Sequence, residues 1–315
     1  MKLVRPIDGA ASGCGRRLPG LTRPSGRRLG RKKAKRGMRE LEGRVAVVTG
    51  AASGIGLAMT EAFVARGMKV VMADVEEDAL ASQATRLELA GAPVLGVLCD
   101  VTDPGAVQAL ADTTIDNFGA VHVLCNNAGI GPSGPMLETT PSEWQWLIGV
   151  NVLGVAYGVT TFAPLMVEAG EGHIVNTASQ AGLMTTVRLG MYCASKHAVV
   201  GLSEALYREL EDTPVGVSCL CPELVLTNIF SSQRNRPDWV EVAGDEPAGV
   251  PSPEILEYLT THGIDASNVA DAVVDAVEAD RFWVFSHDVT LPQAMRRFED
   301  LQAGRNPTAG DGALD

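Results

Sequence analysis

The sequence predicts an α/β chain built as a doubly wound parallel sheet of about seven strands with helices on both faces. Short apolar, β-branched runs alternate with helical patterns from residue 45 to 220, so one α/β domain is expected. A glycine cluster separates the first apolar run from the first helical pattern, and an acidic residue closes the second run. With 315 residues, 46% of them hydrophobic, the chain can bury a substantial core.

The elements follow in order. Arg44 to Thr49 reads as a buried strand. Gly50-Ala51-Ala52-Ser53-Gly54-Ile55-Gly56 comes next, then a helix from Leu57 to Arg66 stopped by Gly67. In this setting glycines let the backbone approach a pyrophosphate, and the helix N-terminus offers it free N–H groups. A tight turn between strand and helix is the competing account of the same glycines. The spacing is G-x-x-x-G-x-G rather than G-x-G-x-x-G. Lys69 to Ala73 is the second strand, and Asp74 at its end lies 24 residues after Gly50. A carboxylate there accepts hydrogen bonds from adenine ribose hydroxyls and repels a 2′-phosphate. No Arg or Lys occurs in the glycine loop or directly after Asp74, which favours NAD over NADP. Against this stands a plain helix-capping role for Asp74. Further strands are expected at residues 94–99, 121–125, 173–177, 215–220 and 282–285, with helices at 104–118 and 141–168 among the intervals.

Tyr192 and Lys196 are four residues apart, and Ser179 lies 13 residues before the tyrosine. Positions i and i+4 share a helix face, so the ammonium can approach the phenol. A nearby cation favours the phenolate, which predicts a lowered tyrosine pKa. Such a tyrosine can act as general base for an alcohol and general acid for a ketone. Ser179 closes the run from Ile174 to Ala178 and could hydrogen-bond the reacting oxygen at a strand end. The spacing alone also fits two ordinary surface residues.

Taken together, these motifs resemble the short-chain dehydrogenase/reductase family in its compact single-domain branch, over residues 41 to 300. The resemblance rests on Thr49-Gly50-x-x-x-Gly54-Ile55-Gly56, Asn126-Asn127-Ala128-Gly129, Asn151, Ser179, Tyr192-x-x-x-Lys196 and Pro222-x-x-Val225-x-Thr227. It implies a Rossmann-like fold and an NAD-dependent oxidoreductase interconverting a secondary alcohol and a ketone. The implied catalytic residues are Asn151, Ser179, Tyr192 and Lys196. The implied cofactor residues are Gly50, Ser53, Gly54, Ile55, Gly56, Asp74, Asp100, Val101, Asn127, Ala128, Gly129, Tyr192, Lys196, Pro222, Val225 and Thr227. Asp100 and Val101 would meet the adenine, and Thr227 the nicotinamide carboxamide. Asn126 to Gly129 would line the cofactor groove and steady the sheet. Lys196 would bind the nicotinamide ribose, and Asn151 would hold a water linking Lys196 to solvent. A homotetramer or dimer is implied as well.

One position departs from the family pattern. Glu223 follows Pro222 where the family usually has glycine. Two readings stand: the side chain points to solvent, or its carboxylate borders the substrate pocket and selects against anionic substrates. Ile130, Gln180, Leu183, Met184, Met191, Leu224, Ile229 and Phe230 are candidate pocket walls. Their apolar character suggests a steroid, terpenoid or long-chain substrate. Residues 228–263, polar and proline-containing, would form the substrate lid.

Charge is uneven. Residues 1–40 carry 13 of the 26 Lys and Arg with only Asp8 and Glu40 as acids, whereas the rest carries 13 basic and 36 acidic residues. The acidic body argues against a nucleic-acid role for the folded domain. Residues 1–40 are expected to be a basic disordered extension, and 301–315 a flexible tail. Arg16-Arg17 and Arg27-Arg28 are not followed by an apolar segment, so no secretory signal is expected. The extension reads as dispensable with Met38 as the start, as a basic arm for nucleic acid or an anionic surface, or as a mitochondrial transit peptide. Apolar runs fall short of the roughly 18 residues a membrane span needs, and a cytoplasmic location is expected. Cys99, Cys125, Cys219 and Cys221 read as core thiols, Cys193 as a helix packing residue, and no metal site is expected. The competing functions are a 3-oxoacyl-carrier-protein ketone reductase, and a non-catalytic NAD-binding sensor or scaffold with a basic nucleic-acid-binding arm.

Overall fold

Seven strands form one parallel sheet in the order β3-β2-β1-β4-β5-β6-β7. They are β1 (Val45–Thr49), β2 (Lys69–Asp74), β3 (Val94–Leu98), β4 (Val123–Asn126), β5 (Gly172–Thr177), β6 (Val215–Cys221) and β7 (Trp283–Phe285). The structure is a computed structural model and describes Met38 and residues 40–131, 134–241, 257 and 260–307. The basic arginine pairs, Cys14, much of the expected lid and the last eight residues lie outside the described residues.

Alternation along each strand divides the core in two. Ala46 and Val48 of β1, with Val70 and Met72 of β2, pack on one face. There they meet Met59 and Phe63 of α1 (Gly54–Ala65), Leu80 and Leu87 of α2 (Glu77–Leu89), and Val269, Val273 and Val277 of α7 (Ala266–Ala279). Val47 and Val71 face the other way. They meet Val107 and Leu110 of α3 (Pro104–Phe118), Phe162 and Met166 of α5 (Gly154–Ala169), and Leu206 of α6 (Gly190–Glu209). The sheet is therefore covered on both sides, which is why β1 and the middle of β2 are continuous apolar runs rather than alternating with polar residues.

The strand order reverses at β1, which pairs with β2 on one side and β4 on the other. Loops leaving the C-terminal ends of β1 and β4 part there and open a crevice. Gly50 begins one of these loops and Asn127 the other.

Two expectations need correcting. The helix expected over 141–168 is α4 (Pro141–Ile148) and α5 joined by a π-helical turn, Gly149–Leu153. Taken as one rod, Pro141–Ala169 is long and apolar enough to cross a membrane by length and composition, although no single apolar run is. Its apolar face is occupied by the sheet, where Val155, Phe162 and Met166 are buried. The packed unit also extends past the expected limits of 41 and 300. Met38 is buried in the same core as Leu41, and its N–H donates to the Val277 carbonyl at 3.3 Å. At the other end, α8 (Thr290–Ala303) continues beyond residue 300 and buries Asp300.

Candidate active site

The glycine loop closes on itself and on two neighbouring segments. A Cβ on Gly56 would lie 2.0 Å from the Gly50 carbonyl oxygen, so only glycine lets the start of α1 fold back against the loop. Gly54 has φ +53°, and a Cβ there would press on Thr227 at 3.0 Å. Thr49 joins this loop to the next. Its hydroxyl accepts from the amides of Asn127 at 2.9 Å and Ala128 at 3.0 Å, while Asn127 Nδ2 donates back to the Thr49 carbonyl at 3.0 Å.

Asp74, only 9% exposed, anchors the loop from the second strand. Its Oδ2 accepts from the Ala52 amide at 2.8 Å and its Oδ1 from the Glu76 amide at 3.0 Å. Asp74 is more than a helix cap: α2 begins at the N-cap Glu76 with no side-chain cap bond, and Asp74 holds the Glu76 amide and the loop amide of Ala52 together. Above it Arg234, from the 3₁₀ segment Asn228–Asn235, forks onto Glu76, with Nε 3.3 Å from Oε2. Asn235 adds a bond to Glu76 at 2.8 Å.

A cavity of about 460 Å³ runs along the crevice. Gly50, Ser53, Gly54, Ile55, Asp74, Asp100, Val101, Asn127, Ala128, Gly129, Pro222, Val225 and Thr227 line it, together with Ser179, Tyr192 and Lys196. Gly56, read as cofactor-binding, does not face it: its place is behind the loop, against Gly50. Asn151 also stands behind the wall. Its Oδ1 accepts from the Ile130 amide at 2.9 Å, and its Nδ2 donates to the Ile130 carbonyl and the Ser195 hydroxyl. Asn126 is buried away from the groove and donates to Asn176 Oδ1 at 2.9 Å, tying β4 to β5.

Ser179, Tyr192 and Lys196 converge. The Ser179 hydroxyl is close enough to the Tyr192 phenol to favour its ionised form, and it donates to the Pro222 carbonyl at 3.3 Å. Lys196 Nζ lies 5.6 Å from the Tyr192 ring centroid and donates to the Thr177 carbonyl at 2.9 Å. Gly129 lies beside this corner, its Cβ position 3.6 Å from Lys196 Nζ and 3.5 Å from Asn151 Oδ1. The electrostatics differ from the expectation of a lowered tyrosine. Burial pushes Tyr192 up to about 12, and the Ser179 hydroxyl offsets only part of that rise. The same burial pulls Lys196 down to about 8. Desolvation outweighs the cation because the ammonium is directed at a carbonyl rather than at the phenol oxygen.

Of the candidate walls, Ile130, Gln180, Met184, Leu224, Ile229 and Phe230 line the cavity. Leu183 and Met191 do not: Leu183 packs on the cluster around Val199, and Met191 on Trp146 and Leu147. Glu223 lines the cavity, half-buried, instead of pointing into solvent. Trp146, Trp239, Arg234 and Gln293 were missed. Trp146 precedes Asn151 by five residues and was in reach of the helix pattern, whereas Gln293 arrives from α8 with no local motif to announce it.

A sequence model of the family described as short chain dehydrogenase matches residues 44–238. The chain is 36% identical over 264 residues to 1-deoxy-11-beta-hydroxypentalenate dehydrogenase of Streptomyces avermitilis, covering 83% of this chain and 91% of that one. It is 44% identical to a short-chain dehydrogenase/reductase from Burkholderia phymatum solved in complex with NAD, with TM-score 0.83 over 87% of this chain and 100% of that one. A third likeness is to actinorhodin polyketide ketoreductase with NADPH, at 30% identity and TM-score 0.68, covering 79% and 97%.

Proposed function

The chain belongs to the short-chain dehydrogenase/reductase family, and we propose that it is NAD-dependent and interconverts hydrophobic secondary alcohols and ketones. The observation that carries this reading is the meeting of Ser179, Tyr192 and Lys196 on the wall of the cavity that the glycine loop and Asp74 also line. The residues present fit a nicotinamide dinucleotide. Glycine clears the backbone where a diphosphate would approach, and Asp74 offers acceptors where a ribose would lie. When bound, that group supplies the hydride acceptor or donor.

The chain's own residues do the rest. Ser53, Gly54 and Ile55 would hold the diphosphate at the α1 N-terminus, and Asp100 and Val101 would border the adenine. Asn127, Ala128, Gly129, Pro222, Val225 and Thr227 form the wall on the nicotinamide side. Ser179 holds the substrate oxygen by hydrogen bonding. Tyr192 gives that oxygen a proton in ketone reduction and takes it back in alcohol oxidation. Lys196, its ammonium held by the Thr177 carbonyl, would bind the nicotinamide ribose and relay the proton, while Asn151 fixes the Ile130 segment beside it and would order the water path. Because the phenol keeps its proton at neutral pH, the resting protein is ready to reduce a ketone, and oxidation requires alkali.

NAD is favoured by Asp74, and Arg234, a cation at the cavity's edge near it, is engaged by Glu76. A hydrophobic substrate is supported by Ile130, Met184, Leu224, Ile229 and Phe230 on the wall, and by the likeness to a pentalenate dehydrogenase. The likeness to a polyketide ketoreductase with NADPH supports one second reading, a carrier-bound ketone reductase. A homo-oligomer in a reducing cytoplasm completes the proposal, consistent with the free, buried state of the five described cysteines. A panel of hydrophobic alcohols and ketones assayed with NAD and NADP side by side tests it. Turnover with NAD exceeding that with NADP is expected; NADP preference would replace this reading with the second.

A further inference from the structure

Among the polar groups on the cavity wall that the reaction does not use is the carboxyl of Glu223. Glu223 Oε2 is buried and has no hydrogen-bond partner. Burial pushes this carboxyl above its usual range, while His287 and a hydrogen bond from Gln180 pull it partly back. Gln180 in turn donates to Gln293 Oε1. His287, held through Nδ1 by the Ser286 hydroxyl at 2.8 Å, leaves its Nε2 buried and unpartnered. Gln180, Glu223 and Gln293 therefore meet on the cavity wall beside Met184, Leu224, Ile229 and Phe230, with His287 close to Glu223. Gln180 is the residue after Ser179, and its amide donates to the Pro222 carbonyl at 2.8 Å, so the cluster adjoins the place where the substrate oxygen would be held.

An unpartnered carboxylate oxygen against apolar surface is costly unless a ligand satisfies it. Resting on the dehydrogenase reading, we infer that Glu223 is a specificity-determining residue that binds a second hydroxyl group of the substrate. The substrate class is then a neutral diol or hydroxyketone. A hydroxyl fits because it donates to a carboxylate and accepts from a carboxylic acid, so it is matched in either protonation state of Glu223. An ammonium would be matched only by the charged form, which burial opposes. A carboxylate would meet repulsion.

The test compares cyclohexanol with the 1,2-, 1,3- and 1,4-cyclohexanediols as substrates with NAD, in the wild-type protein and in Glu223→Gln and Glu223→Leu. Beyond the twofold statistical factor for two carbinols, the best diol should exceed cyclohexanol in kcat/KM by about fivefold, as an ordinary hydrogen bond of about 1 kcal/mol allows. That ratio should fall in Glu223→Gln and collapse toward unity in Glu223→Leu. Thermal denaturation adds a readout that separates binding from support of the fold: Glu223→Leu should melt at or above the wild-type temperature, because it removes an unsatisfied buried oxygen. A lower Tm would assign Glu223 to the fold and overturn the inference. So would a diol preference that is absent from the wild type or unchanged by both substitutions, with the dehydrogenase reading left standing. No NADH from any of the four alcohols in the wild type would overturn this inference, whereas the dehydrogenase reading falls only if the wider panel of hydrophobic alcohols and ketones is silent too.

Discussion

Replacing Asp74 by Ala should weaken the fold as well as relax cofactor choice. The structure supplies the magnitude. Both carboxylate oxygens accept backbone amides, at 2.8 Å from Ala52 and 3.0 Å from Glu76. A hydrogen bond to a charged group contributes about 1.5–3 kcal/mol when its partner has no alternative. Ala52 is buried and would lose its bond outright, whereas Glu76 is half-buried and recovers part of its own from water. The sum is about 3 kcal/mol, which at roughly 2–4 °C per kcal/mol for a domain of this size lowers Tm by about 6–12 °C. Asp74→Asn keeps one good acceptor and should show about half the loss. Thermal denaturation of the cofactor-free protein measures this, and kcat/KM with NAD and NADP measures selectivity. The NAD-to-NADP ratio should drop by about tenfold or more in Asp74→Ala. If Tm stays within about 2 °C of wild type, the carboxylate does not hold the loop. If Tm falls while the ratio holds, another group reads the ribose.

Tyr192→Phe should abolish nearly all turnover while NADH binding, followed by fluorescence, survives; a variant with wild-type kcat would remove Tyr192 from the mechanism. In an ultraviolet difference titration of wild type against that variant, Tyr192 should remain protonated to about pH 11, because its pKa is raised to about 12. Alcohol oxidation should accordingly climb with pH from neutrality upward, and a phenolate signal near pH 8 would contradict the burial argument. Gly158→Ala would place a Cβ 2.0 Å from Asn126 Oδ1. That must displace the carboxamide bonded to Asn176, whose Nδ2 donates to Ser203, for a cost of about 3–5 kcal/mol from overpacking and an unsatisfied buried amide. A wild-type Tm for Gly158→Ala would show that the network adapts.

Much of this was legible because local chemistry repeats global geometry. Apolar runs without polar alternation specified strands covered on both faces, and the glycine loop announced a strand-to-helix turn before any neighbour was known. What stayed hidden depends on distant partners. Gly56 has a partner within its own loop, yet only coordinates tell a glycine that faces a ligand from one that clears a carbonyl. The i+4 spacing brought Lys196 to the right helix face but could not reveal that Thr177, from β5, would capture its ammonium. Leu183 and Met191 have the same apolar chemistry as Met184, and only the three-dimensional packing separates lining from core. Glu223 stood out as a departure from a pattern, but its surroundings, Gln293 and His287, come from residues more than sixty positions later.

The π-turn at Gly149–Leu153 gives one rod two angular settings. Each residue of an α-helix advances the screw by roughly 100°, so an extra residue in one turn swings everything before it by about that angle relative to everything after. Trp146 can thereby look into the cavity while Phe162 and Met166 look at the sheet, with no loop spent on the change of direction. Shortening the rod by a single residue there would leave its two ends competing for one orientation, and Asn151, at the crossover, would lose its grip on Ile130 whichever end prevailed.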